Sequence, residues 1–318
     1  MSQADGSPKP TLGARATYRI YRLGGAVAPW VPYSVGEWIA RHVAVTAARL
    51  APGRRAMVER HQQRAASEPL SAAELDRRVR ATFDSYGRYW WELLRIASDA
   101  RKPLARRMRA EGFECIEAAI AEGKGVIVAL PHVGGWDFGG AWLAQEGYPS
   151  TVVVEPLEPP QLLEWFSGVR NRIGMDVVPL GPDAGARVAE VLREGKVVCL
   201  LCDRDLSGDG VEVEFFGETT TLPAGPATLA LRTGALLVPT AVYFAPHGGH
   251  FARIGPPVPC EREGRLRDDV TRITADLAQR FETLIRAEPT QWHLMQPNWP
   301  SDDAVADGRA GPATDARG

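Results

Sequence analysis

The residues of this 318-residue chain best suited to chemistry gather behind its apolar runs. His132 ends the run GVIVALPH and is followed at once by Val133, Gly134, Gly135, Trp136 and Asp137. It is the only histidine set between a strand-like run and a glycine-rich turn. An imidazole there can take the proton of an attacking hydroxyl, because its reference pKa lies near working pH. Asp137, five residues on and one turn into a following helix, can fold back toward the ring and fix its tautomer. Asp203 opens the sequence Asp203–Arg204–Asp205 behind KVVCLLC and is a second candidate for that orienting role. Glu155 follows STVVV in the same way. The glycines let a substrate approach the backbone, and N–H groups at the start of a helix can stabilise a developing oxyanion. A histidine and an acid five apart are a weak pattern alone. One histidine and several carboxylates behind separate runs say more, and the chemistry they suit is general-base transfer to a hydroxyl.

For these side chains to meet, the runs must be strands of one sheet, with the reactive groups beyond its C-terminal edge. The runs are GVIVALPH (125–132), STVVVE (150–155), DVVPL (176–180), KVVCLLCDRD (196–205) and LLVPTAVYF (236–244). Helical patterns separate them at 136–147, 159–173, 184–195 and 225–234, and a long helix follows at 266–287 with Leu266, Val270, Ile273, Leu277, Phe281 and Leu284 in register. Short strands spaced by helices predict an α/β fold, a largely parallel central sheet flanked by helices. Ahead of it, residues 14–110 read as a helical layer. Ser71 is expected to cap a helix there, with Glu74 completing a capping box. That helix carries Val79, Phe83, Tyr86, Trp90 and Leu93 at three- and four-residue intervals. Trp90 and Trp91 cannot both face one way, so one is expected on a groove or a membrane-facing surface. The expected organisation is a disordered start (1–13), one domain over 14–300 with its sheet core at 111–300, and a disordered tail (301–318).

Composition sets the outer bounds. The chain is 45% hydrophobic and 24% charged, ordinary for a folded domain. Its net charge of −2 hides an asymmetry: residues 1–110 hold 20 Lys/Arg against 9 Asp/Glu, and the remainder is acidic. A basic end can rest against anionic lipid headgroups. The uncharged stretch between Arg232 and Arg253 is long enough to span a membrane but contains Pro239, Pro246, Gly248 and Gly249, so it reads as helix end, strand and loop. No signal-peptide pattern is seen, and a cytoplasmic location is expected. Cys199 and Cys202 match C-x-x-C, but three residues apart on a strand they face opposite ways, so a buried structural role is expected. Cys115 and Cys260 complete no disulfide pattern. His247 and His250 lie in a Gly-rich loop without a Cys or carboxylate to complete a metal set, His293 reads as packing, and His42 and His61 sit in helical segments without partners.

At LPHVGGWD the sequence resembles the lysophospholipid and lipid A acyltransferase superfamily, defined by a His followed five positions on by Asp or Glu. The resemblance runs through SYGRYWWELLR, VVVEPL, FSGVRNRIGMDVVPL, CLLCDRDLSGDGVEVEFFGETTTLPAGPATLALRTGALLVP and WHLMQPNW, nearly the whole chain. Within the superfamily it is most similar to the actinobacterial phosphatidylinositol mannoside acyltransferases, peripheral enzymes of the cytoplasmic membrane face that move palmitoyl from acyl-CoA to a mannose hydroxyl. The resemblance implies that His132 is the general base and Asp137 the acid of the motif. Asp203 falls where close relatives carry a Glu that relays charge to the histidine, and is one methylene shorter. Glu155 and Arg170 match positions beside donor and acceptor, Arg204 and Asp205 complete the run, and Asp209 and Arg232 match positions near the CoA moiety. Acyl-CoA is then a co-substrate, with no metal or other cofactor, an anionic membrane surface and a mannosylated phosphatidylinositol as partners, and no nucleic acid. An apolar tunnel is expected for the acyl chain. Two other classes stay open: another lysophospholipid or lipid A-like acceptor, and a lipid-binding protein without catalysis. An α/β-hydrolase would need G-x-S-x-G, and neither Ser167 nor Ser207 has that context.

Overall fold

A strand that is apolar at every position must be covered on both faces. Val126–Leu130 (β2) is such a strand: Val126, Val128 and Leu130 pack into one cluster, Ile127 and Ala129 into another. The computed structural model, which describes residues 12–157 and 159–302, builds a seven-stranded sheet around it. The strands are β1 (Met108–Glu111), β2, β3 (Ser150–Val154), β4 (Met175–Pro179), β5 (Val197–Leu201), β8 (Leu236–Phe244) and β9 (His250–Ile254). Their order is β1-β9-β8-β2-β5-β3-β4. The five from β8 to β4 run parallel, while β9 pairs antiparallel with β8 and carries β1 beside it. The expected α/β class and largely parallel sheet are what is found.

Helices cover both faces. One face holds α5 (Glu114–Ala121), α6 (Trp136–Gln145) and α7 (Pro160–Asn171); the other holds α8 (Ala184–Arg193), α9 (Gly225–Thr233) and α10 (Leu266–Ala287). Cys199 packs with the first group and Cys202 with the second, so they do face opposite ways. The helical layer is α1 (Leu12–Val27), α2 (Tyr33–Leu50), α3 (Pro52–Ala65) and α4 (Ala72–Asp99). Ser71 caps α4 by accepting the Glu74 N–H at 3.3 Å. The other half of the capping box is not made: the Glu74 carboxylate takes Arg77 and Arg78 instead, since a guanidinium offers a charged donor and a backbone amide does not.

Several elements differ from the reading of the sequence. Strand β1 lies inside the stretch assigned to helices, and β9 lies in the stretch read as loop. A hairpin of β6 (Val211–Phe215) and β7 (Glu218–Leu222) stands apart as a two-stranded sheet. Neither member of the tryptophan pair is exposed: Trp91 is buried, and Trp90 is packed among Tyr21, Tyr86, Tyr89 and Phe166. The exposed aromatics of this layer are Trp30 and Trp38, at the turn and outer face of the α1–α2 hairpin. Asp302, assigned to the tail, is buried and bonded to Arg60, Arg64 and His61. The disorder expected before residue 12 and after residue 302 lies outside the described residues.

Candidate active site

Register brings the two decisive groups together. Val126 pairs with Val197 and Leu130 with Leu201, and the Cys202 N–H continues the ladder to Leu130 O at 3.0 Å. Two residues beyond the Leu130–Leu201 pair on each chain, His132 and Asp203 stand level past the C-terminal edge. This is the switch point of the sheet, because the chain leaves β2 toward β3 and leaves β5 toward β8 on the other side. His132 Nδ1 lies 2.5 Å from Asp203 Oδ1. Asp203 Oδ2 accepts the His132 backbone N–H at 2.9 Å and the Trp292 indole N–H at 2.8 Å. Asp203 is fully buried, at 0% exposure, and burial alone raises a carboxyl pKa. The charge of His132 and the hydrogen bonds from its ring, its amide and Trp292 outweigh that, holding Asp203 below its ordinary value. A carboxylate at Nδ1 keeps the proton there and leaves Nε2 as the basic nitrogen, on a ring that is 30% exposed.

Asp137 does not touch the imidazole. It sits at the second position of α6, buried, where Arg170 of α7 binds it through Nε at 2.8 Å and Nη2 at 3.2 Å, and the Tyr89 hydroxyl of α4 donates to it at 2.9 Å. It is Asp203, and not the nearer Asp137, that lies against the imidazole, because a bidentate guanidinium holds Asp137 elsewhere. Burial opposes the Arg170 charge, but Asp137 and Tyr89 more than compensate and raise its pKa. Glu155, a conceivable partner for Arg170, is exposed at the end of β3 and makes no ion pair with it.

The remaining site residues divide. Arg204 is partly buried beside the pair. The Asp205 carboxylate holds its own loop together, accepting the N–H groups of Ser207, Gly208 and Gly210 and the Thr221 hydroxyl. Asp209 is exposed on that loop and accepts from the Ser207 hydroxyl. Arg232 is not brought to the site. It lies in the last turn of α9, and the chain then enters β8 at the edge of the sheet opposite His132.

The glycines after His132 also act differently from expectation. The Gly134 N–H donates to Gln291 O at 2.9 Å and the Gly135 N–H to Val242 O at 2.8 Å, so neither amide is free for an oxyanion. Gly134 has φ +62°, and a Cβ there would stand 2.2 Å from Val242 O. The turn is glycine-rich because β8 and the segment after α10 approach it closely. Helix α6 begins without a side-chain cap, so the N–H groups of Trp136, Asp137 and Phe138 have no partner among the described residues.

Beside the pair an apolar cavity runs between α6 and the sheet. Trp136, Asp137 and Arg170 lie at one end, Phe113, Ile116 and Ile254 at the other, with Val128, Cys199 and Val242 between. Burial raises the Cys199 thiol to about 11, as suits a wall residue. No group of three or more His, Cys, Asp or Glu among the described residues could hold a metal ion.

Three residues of the site were not singled out in the sequence: Trp292, Tyr89 and Ser85. Their signal lay in the closing WHLMQPNW and in SYGRYWWELLR. His293 is buried as packing was expected to be, with Ser85 Oγ 2.9 Å from its Nε2 and its N–H on His132 O at 2.7 Å. Its Nδ1 has no partner, so Ser85 and His293 lack the acid of a triad. Two other histidines have partners after all: His250 is buried on Glu92 at 2.7 Å, and His61 on Asp302 at 3.3 Å.

The sequence model of bacterial lipid A biosynthesis acyltransferases matches residues 13–301. The chain is 42% identical over 238 residues to a phosphatidylinositol mannoside acyltransferase of Mycobacterium tuberculosis, covering 73% of each chain. It is 35% identical over 296 residues to one of Mycolicibacterium smegmatis, covering 92% of this chain and 94% of the relative. A lipid A biosynthesis acyltransferase of Haemophilus influenzae is 29% identical over 202 residues, 62% of this chain and 60% of that one.

Proposed function

Because the chain belongs to the bacterial lipid A biosynthesis acyltransferase family, we propose that it moves a fatty acyl group, palmitoyl above all, from acyl-CoA to a mannose hydroxyl of phosphatidylinositol mannosides. The observation that carries this reading is the half-exposed His132 ring, backed by the buried Asp203 and set against Trp136 at one end of an apolar cavity. In the proposed reaction Nε2 of His132 takes the acceptor proton as the oxygen attacks the thioester carbonyl. The imidazolium is stabilised by Asp203. The tetrahedral intermediate collapses, the C–S bond breaks, and the departing thiolate takes the proton back from His132. First-turn N–H groups of α6 face a developing oxyanion with a favourable helix dipole. Asp137, Arg170 and Tyr89 brace the entrance, and the cavity houses the acyl chain.

A membrane surface fits as the place of work. The α1–α2 hairpin exposes Ile20, Leu23, Val27, Trp30, Val35, Trp38, Ile39 and Val43, with Trp30 at 88% exposure. No described helix is long and apolar enough to cross a membrane. An apolar face on a basic layer supports a peripheral position on anionic lipid, at the cytoplasmic face.

Radiolabelled palmitoyl-CoA offered with phosphatidylinositol mannosides and, separately, with lysophospholipids tests the reading. Label is expected in the mannosides. Transfer to lysophospholipids alone overturns the acceptor and keeps the reaction class. The His132→Ala variant is expected to lose transfer by roughly 10²–10⁴-fold while still binding lipid. Full activity in that variant removes His132 as base, and lipid binding with no transfer by the unmodified protein leaves only a carrier. A serine-directed fluorophosphonate is expected to leave activity unchanged.

A further inference from the structure

We propose that Trp292 is a positioning residue for acyl transfer: its indole N–H holds the Asp203 carboxylate in the orientation that fixes His132 with its proton on Nδ1. The proposal rests on the reading of His132 as the general base.

A carboxylate at 0% exposure has no water to satisfy it and depends on the donors the fold supplies. Asp203 has three N–H donors to its carboxylate, and two belong to His132 itself. The third is Trp292, the only one contributed by another part of the chain. Oδ1 faces the imidazole, while Oδ2 is shared between an amide and an indole. With both oxygens held, the carboxylate cannot rotate about its Cβ–Cγ bond without breaking at least one contact. Without the indole, Oδ2 keeps only the amide of the residue it is meant to orient.

The backbone around Trp292 points the same way. The Gly134 N–H donates to Gln291 O, and the His293 N–H donates to His132 O at 2.7 Å, so residues 291–293 run antiparallel along the catalytic turn. This short bridge sets the indole against Asp203 in fixed register. The segment is anchored beyond that by His61, which contacts Leu294 O and Asp302, and by Arg60 and Arg64 on Asp302. Trp292 itself is 1% exposed and packs on His61, Phe215, Phe216 and Trp299. It lines no part of the apolar cavity. Its ring would be met by any large apolar side chain, whereas its N–H has a single use.

No other group substitutes for it. His293 faces His132 from the same segment but bonds Ser85, and it is neutral, its pKa pushed down to about 3 by burial and by His132. The Cys202 thiol beside Asp203 bonds Leu200 O, and Asp137, Arg170 and Tyr89 bond one another. Arg204, the next residue along, makes no ion pair with Asp203, and Asn298 donates to the Asp203 carbonyl rather than its carboxylate. Losing the indole N–H concentrates negative charge on the carboxylate, which favours the imidazolium. The acid limb of the rate profile is then expected to move up.

The test replaces Trp292 in the full chain with benzothienylalanine, which keeps the bicyclic shape and exchanges N–H for sulfur, and separately makes Trp292→Phe. Turnover and KM for palmitoyl-CoA are measured across pH. Turnover at the optimum is expected to fall roughly tenfold, as for loss of a hydrogen bond to a charged group. The acid limb of kcat/KM is expected to rise by about half a pH unit or more, with KM for palmitoyl-CoA unchanged. If Trp292→Phe does not fold, the isosteric replacement decides alone. An unaltered profile and turnover in the benzothienyl protein overturn the proposal. A rise in KM at unaltered pH dependence overturns it as well, since it assigns Trp292 to packing. His132→Ala run beside it separates the two readings: activity there removes the base, whereas its absence with a normal benzothienyl protein removes only Trp292.

Discussion

The reach of Asp203 is set by backbone register rather than by side-chain length. Parallel pairing of β2 and β5 brings position 203 level with position 132, and an aspartate is long enough to close the gap to 2.5 Å. His293 presents the opposite electrostatic case. It is buried and neutral, with a pKa lowered from 6.5 to about 3 by burial and by its neighbour His132. The unfolded chain binds a proton at this residue below 6.5 while the folded chain refuses it until about 3, so stability falls as pH drops through that interval. Thermal melts at stepped pH values are expected to show this fall, with a shallower slope in His293→Phe; equal slopes in both proteins would remove His293 as the cause. At this scale the place of His132 after an apolar run pointed to the sheet edge on which it lies. It misassigned Asp137, because residue spacing states distance along the chain and not direction. The second position of α6 aims its side chain at α4 and α7, and Arg170 was waiting there.

Among elements, α4 is what joins the helical layer to the sheet. Arg88 donates to the carbonyls of Ala245 and Gly249, and Glu92 accepts from His250 and from the Tyr33 hydroxyl. Burial would raise the Glu92 pKa, but His250, Arg88 and Tyr33 together lower it to about 2. Glu92→Gln removes the charge while leaving Arg88 buried. The expected cost is about 3–5 kcal/mol, the usual range for breaking a buried pair, read from the urea midpoint. A change near zero would mean that Arg88 and His250 are satisfied without Glu92. The long helix α10 and the strand β8 have the boundaries read from the sequence, 266–287 and 236–244, because their apolar pattern is unbroken. The elements that escaped notice are short and half-polar. Strand β1 is MRAE, β7 is ETTTL and β9 is HFARI. Strands at or next to the margin of a sheet need only one apolar face, and four or five residues are too few to reveal the alternation.

Across the whole molecule, charge and apolar surface are arranged on the same side. The basic first third of the sequence folds into the layer that carries the exposed hairpin. The double variant Trp30→Ala, Trp38→Ala is expected to reduce sedimentation with anionic vesicles severalfold and to keep its melting temperature, because neither ring contributes to the core. Undiminished vesicle binding would place the contact elsewhere. The asymmetry was legible in composition, but which aromatics face outward was not, since Trp90 and Trp91 look equally available until α1 and α7 pack on the first and α2 on the second. The bridge between the catalytic turn and residues 291–293 bears on synthesis. The ribosome adds Trp292 long after His132, so the segment that closes the turn carrying His132 is among the last parts of the fold to be made.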